Sequence, residues 1–265
     1  MKFYSEIALP ENKTTAKIEQ FSFTDLITIN KFLQNKVDVH IQDYFVKLAE
    51  KYSNSINLAG LDIIVALIFM RVISMGGSLK LTSGNTVTEI DLYGLLQSLS
   101  TLNIPPLSIS IADNISIDIK TPAKFIDIEE VDFIHTITID GNIHTLLQDE
   151  KHHLYSNLPA NISKVIAQYI TTIESELNKI QFNIADTKIE CSYMNGSLFE
   201  TVKILYTTNI INCFKKLAAI SNSIEMDTSY VVNLPPAEVD MLMSFVEEQQ
   251  TASQVNQSSI PIRPA

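Results

Sequence analysis

From Leu61 to Met75 the sequence reads Leu-Asp-Ile-Ile-Val-Ala-Leu-Ile-Phe-Met-Arg-Val-Ile-Ser-Met, apolar except for Asp62, Arg71 and Ser74, and closed by Gly76-Gly77. Its uninterrupted centre, Ile63 to Met70, falls well short of the roughly 20 apolar residues that a hydrocarbon layer requires, and charge stands at both ends. A helix that is apolar on every side has to be surrounded by protein. The chain is therefore expected to build its body around this helix, with Gly76-Gly77 as a left-handed stop. Arg71 is then expected to reach the surface, find a carboxylate, or act as an anchor for a partner, because an unpaired buried charge is expensive.

The segments on either side of the helix differ in period. Ahead of it, alternation around Pro10 to Thr14 predicts an N-terminal strand pair. A helix capped by Thr24 follows, and then an amphipathic helix over Val39 to Tyr52. Behind it, Leu79 to Ile90 predicts a hairpin around Ser83-Gly84-Asn85, and Asp91 is placed to cap a short helix through Leu102. The stretch 105–158 reads as a β-rich insertion, with strands over Leu107 to Ile111 and Ile115 to Ile119. A hairpin over Phe133 to Leu147 turns at Asp140-Gly141, a pair suited to the positive φ angles of a two-residue turn.

Residues 159–249 read as helical. One long helix steps through Ile162, Ile166, Tyr169, Ile173 and Leu177. Another opens at the capping-box sequence Ser197 to Glu200 and runs through Val202, Leu205, Ile210, Phe214 and Leu217. Thr228 to Val232 suggests a strand, and Pro235-Pro236 starts a last helix to about Glu248 with Val239, Leu242, Met243 and Val246 inward. Residues 250–265 are polar and low in complexity, and read as a disordered tail. The expected fold is α+β: a mainly helical body around a buried central helix, with an N-terminal strand pair and a β-rich middle insertion. The divisions fall at 1–104, 105–158, 159–249 and 250–265.

Composition narrows the partners. A net charge of -11 with only 19 lysines and arginines leaves little to grip phosphates, so nucleic acid is not expected as a partner. The N-terminus lacks the apolar region of a signal peptide, and cytoplasmic residence is expected. Neither membrane insertion nor a cofactor is expected. The seven glycines never fall at the spacings of nucleotide loops or a nucleophile elbow. Cys191 and Cys213 sit among apolar neighbours and read as core.

The run Asp149-Glu150-Lys151-His152-His153, with His144 nearby, groups carboxylates and imidazoles. Adjacent histidines diverge by about 100° on a helix and point oppositely on a strand, so a solvated linker is expected and no metal site. His135 and His144 occupy the two arms of the predicted hairpin and read as surface or half-buried side chains. No serine or cysteine is placed to act as a nucleophile with them. An enzyme is not expected.

The segments Ile18-Glu-Gln-Phe-Ser-Phe23 and Asp25 to Leu33, the Arg-x-x-Ser-x-Gly pattern at Arg71, Ser74 and Gly76, Leu198-Phe-Glu-Thr-Val and Pro236 to Val239 occur in an order that resembles the T4-like baseplate hub proteins of contractile-tailed bacteriophages. The resemblance spans most of the chain. It implies a noncatalytic part of the tail baseplate hub, or a transient assembly chaperone absent from the finished particle. It also implies other baseplate or tail proteins as partners, and residence first in the host cytoplasm and then in the virion. Ile260-Pro-Ile-Arg-Pro reads either as an extended segment that orders against such a partner or as a terminus without function. Arg71, Ile260, Ile262 and Arg263 are thus the candidate partner contacts.

Overall fold

A computed structural model describes residues 4–35, 38–55, 58–83, 86–105, 107–184, 187–224 and 226–258. In chain order the elements are β1 (Tyr4–Ala8), β2 (Thr15–Glu19), α1 (Phe23–Asn35), α2 (Asp38–Ser53), α3 (Gly60–Met75), β3 (Ser78–Ser83), β4 (Thr86–Asp91), α4 (Leu92–Ser100), β5 (Leu107–Ala112) and β6 (Ile115–Ile119). After a short 3-10 turn at Glu130–Phe133 come β7 (Ile134–Ile139), β8 (Asn142–Thr145), α5 (Gln148–Asn157), α6 (Ala160–Leu177), β9 (Gln181–Ile184), β10 (Thr187–Glu190), α7 (Ser197–Tyr206), α8 (Ile210–Ile224), α9 (Thr228–Val231) and α10 (Pro236–Ser258). The fold is α+β. Its strands form three antiparallel pairs and one antiparallel four-stranded meander in the order β5-β6-β7-β8.

The apolar run of the sequence is α3, and every residue from Gly60 to Ile68 is buried. Its two ends are completed by the N-terminal hairpin and by one distant threonine. At the amino end Ala59 offers no side-chain cap, and the free N–H groups of Gly60 and Leu61 donate instead to Thr121 O and Thr121 Oγ1, each at 2.9 Å. Asp62 in that first turn accepts from Glu11 N at 2.9 Å and Asn12 N at 3.0 Å. At the carboxyl end Gln20 Nε2 donates to Ile73 O, and Phe21 N donates to Ser74 Oγ at 3.0 Å.

Residues 12–20, mostly β2, thus run alongside α3 and are bonded at both of its ends. Gly76 closes α3 with its N–H on Val72 O, at φ 95° and ψ 162°. That is a positive-φ stop, as expected, but in the extended glycine-only region rather than the left-handed helical one.

Aromatic rings fill the space between α2, α7 and the connection after β6. Phe199 stacks on Phe125 at 5.1 Å and meets Phe45 edge-on at 6.0 Å, while Tyr206 lies 5.3 Å from Phe45 and 5.6 Å from Phe21. The meander shares this core through Ile109, Ile117, Ile119, Ile134 and Ile137. Its last hairpin turns at Asp140 and Gly141, both at positive φ as the Asp-Gly pair requires.

Several expectations are corrected. The cap of α1 is Ser22, whose Oγ accepts from Asp25 N, not Thr24. The expected helix through Val202 and Leu217 is two helices, because buried Asn30 ends α7 by donating to Tyr206 O and accepting from Thr208 N, and Asn209 then caps α8. Thr228 to Val231 is helical, since Asp227 accepts from Ser229 N and starts a turn. The run Asp149 to His153 lies within α5 rather than in a linker. The last helix does not stop near Glu248 but continues through Ser258, so the disordered tail assigned to 250–265 is helical over 250–258, and residues 259–265 lie outside the described residues.

Candidate functional site

Arg71 reaches neither water nor a carboxylate. It is buried, its Nε donates to Leu205 O at 2.9 Å, and its Nη1 donates to Gly76 O at 2.9 Å. Burial lowers its pKa, against which Tyr206 and Asp240 act. Tyr206, from the same turn of α7, donates through Oη to Leu67 O at 2.6 Å. Arg71, Ser74 and Gly76 therefore join the end of α3 to α7 and to the end of the N-terminal hairpin. A side chain held this way is not offered to a partner, and the expectation of Arg71 as a contact is withdrawn. Ile260, Ile262 and Arg263 lie outside the described residues.

The amino end of α3 holds a second buried polar group that the sequence did not disclose. Glu11 is buried, takes Thr121 N on Oε1 at 2.6 Å and Thr121 Oγ1 on Oε2, and lies 3.5 Å from the hydroxyl of Tyr169. Burial pushes its pKa up to about 7, with the nearby Asp62 carboxylate adding to the rise and Thr121 and Lys120 opposing it. Asp62 is raised as well, again by burial. Nothing local marks Glu11, because its partners are 51 and 110 residues away.

A cleft of about 460 Å³ opens between the end of β2, the end of α2 and the α9–α10 turn, lined among others by Glu19, Lys51, Tyr52, Tyr230, Asn233 and Glu238. Beneath it Asp25 accepts from Tyr52 Oη and Ser22 Oγ and pairs with Lys51 at 3.3 Å. Burial would raise the Asp25 pKa, but these donors hold it below the ordinary carboxylate value. The cleft mixes a cation with carboxylates and presents no pair of groups set for proton transfer or attack.

Asp132, beside the 3-10 turn, anchors α5. It accepts from Glu129 N at 2.8 Å and Gln148 Nε2 at 2.6 Å, and pairs with Lys124 at 2.8 Å. Within α5, Glu150 accepts from Leu147 N, and His152 bridges Gln148 O and Glu129. His144 stands opposite Ile137, not His135, which lies two positions further along the same face. Among the described residues no three His, Cys, Asp or Glu side chains gather to hold a metal, and no helix is long and apolar enough to cross a membrane. Cys191 and Cys213 are buried, and burial pushes the Cys191 thiol up to about 11.

The exposed surface differs in kind. Phe214, expected inside, is 50% exposed on α8 beside Ile211 at 61%, while α10 exposes Met241 at 71% and Phe245 at 47%. The inward sides of both helices are used: Cys213, Leu217 and Ile220 on α8, and Val239 and Val246 on α10, are buried. Lys216 and Asp240 pair across the two helices at 2.5 Å. The sequence signal for this surface was the extra pair Met241 and Phe245 beyond what one buried face needs. Compared with known proteins, the chain matches no family model, no curated protein and no solved structure.

Proposed function

We propose that this chain is a noncatalytic component of the tail baseplate hub of a contractile-tailed bacteriophage, acting through contacts with other baseplate or tail proteins. The observation that carries the protein-contact part is the exposure of apolar side chains on the C-terminal helices, Met241 and Phe245 on α10 and Ile211 and Phe214 on α8, whose inward sides are already buried. Aromatic and methionine side chains of this kind are enriched where proteins meet. The assignment to a baseplate rests on the resemblance in segment order and in Arg71, Ser74 and Gly76. Arg71 and Ser74 are buried joints and Gly76 is the exposed stop of the same helix, roles that suit a mark of shared architecture rather than of shared chemistry.

Mass spectrometry of purified particles of the encoding phage tests the reading. A fixed copy number in particles is expected. Absence from particles, with presence in lysate on tail intermediates, would overturn it in favour of a transient assembly chaperone. Absence from both would remove any tail role.

A further inference from the structure

The outward face of α10 has a definite pattern. Glu238, Met241, Phe245 and Glu248 follow one another at intervals of three, four and three residues and are all exposed. At about 100° per residue they fall within an arc of about 80°, and over about 15 Å they form a single stripe with two apolar side chains between two carboxylates. Val239 and Val246, on the opposite side, are buried against the body. Among the described residues neither Glu238 nor Glu248 is paired with a cation. Between Lys216 and Arg263 the sequence carries six carboxylates and no lysine, arginine or histidine.

We propose that this stripe is the docking surface for a basic amphipathic helix of a partner protein, one that presents two apolar residues flanked by lysine or arginine. This rests on the protein-contact reading above and names the chemistry of the partner. Charge selects among the possible occupants. Two copies of the chain meeting face to face would set Glu238 and Glu248 against like carboxylates in either orientation, which is destabilising. Anionic lipid heads and phosphate backbones meet the same repulsion. A cationic helix turns both carboxylates into attractions and covers Met241 and Phe245, and the thioether of Met241 adapts to differently shaped apolar partners.

The test uses the full-length chain and a synthetic 18-residue helical peptide of leucine, alanine and lysine, with a second peptide carrying glutamate in place of lysine as the control. Fluorescence anisotropy should show salt-sensitive binding of the lysine peptide alone. Replacing Met241→Asp together with Phe245→Asp should weaken it at least 10-fold, although the protein then carries two further negative charges. That direction excludes diffuse attraction, which the added charge would strengthen. Glu238→Gln with Glu248→Gln should weaken binding several-fold and flatten its salt dependence, and circular dichroism should show both variants folded.

Equal binding of the glutamate peptide, or a Met241→Asp/Phe245→Asp chain that binds as well as the parent, would overturn the proposal. So would self-association through this face in the ultracentrifuge. Tighter peptide binding by Arg263→Ala would also overturn it, by making the chain's own last residues the occupant. A chain present in particles whose stripe ignores the lysine peptide keeps the hub reading and loses this one.

Discussion

The two ends of α3 are closed by opposite chemistry. At the amino end, where the helix dipole favours negative charge, the carboxylates of Asp62 and Glu11 gather backbone and hydroxyl donors. At the carboxyl end, where the dipole favours positive charge, Arg71 gives its protons to two carbonyls. At each end a buried charged side chain satisfies main-chain groups of the segments packed around the helix, yet only one end can change its charge in ordinary solution. The guanidinium stays protonated throughout. Glu11, with its pKa pushed up to about 7, does not stay ionised. The chain thus has a fixed end and a titratable end on one buried helix.

The largest expected effect is at the fixed end. Arg71→Ala leaves Leu205 O and Gly76 O without a donor and opens a void, and should cost about 3–4 kcal/mol in urea unfolding at pH 7. A loss below about 1 kcal/mol would show that water replaces the side chain and would erase the comparison. At the titratable end, Asp62→Ala strands the N–H groups of Glu11 and Asn12 and should cost about 2 kcal/mol. The gentler Asp62→Asn should lower the Glu11 pKa by removing a neighbouring charge, which carboxyl NMR titration would read. An unmoved Glu11 would separate the two residues.

Next in size is the pH dependence. Folded Glu11 holds its proton up to about pH 7, whereas the unfolded chain releases it near 4.5, so between those values the folded state binds more protons. The contribution of Glu11 is fully present below about 4.5 and is lost as pH rises toward 7, with a slope of at most about 1.4 kcal/mol per pH unit. Glu11→Gln should flatten that slope. Asp25 and Asp132, whose pKa values are lowered, act in the other direction: their stabilisation is present above the unfolded carboxylate pKa and fades as pH falls. A parent and a Glu11→Gln chain with parallel stability profiles from pH 4.5 to 7 would overturn the assignment. The smallest effect belongs to the exposed helix pair, where Phe245→Ser should change unfolding free energy by less than about 0.5 kcal/mol. A larger loss would mean that this face already has an occupant.

What the sequence disclosed was whatever depends on near neighbours. The apolar run gave α3, Asp140-Gly141 gave the hairpin, and Asp91 did cap its helix, accepting from Tyr93 N at 3.0 Å. Period failed where a distant residue decided the outcome. The stop between α7 and α8 is fixed by Asn30, 176 residues before the carbonyl it reaches, and no local window contains that bond. In the last helix, polar composition argued for disorder, yet glutamine and alanine are good helix formers and carried α10 through Ser258. Asp149 to His153 failed for a related reason: charge suggested a loop, but Asp132 was waiting to hold Gln148. The candidate site was less legible than the fold. Arg71 stood out because it was charged in an apolar run, and that oddity marked a joint. Phe214 read as core but is half exposed, while Met241 and Phe245 fell outside the inward positions of the last helix and drew no reading of their own.

One connection acquires a mechanical meaning. Phe23 N donates to Leu234 O at 2.8 Å and Thr24 N to Val232 O at 2.9 Å, so the start of α1 is stitched to the residues that lead into α10. Two residues earlier, Phe21 is tied to Ser74 at the end of α3. A force applied along α10 is therefore not absorbed by a slack hinge. It loads the first turn of α1 in shear across two main-chain bonds and passes from there toward the most deeply enclosed helix of the molecule.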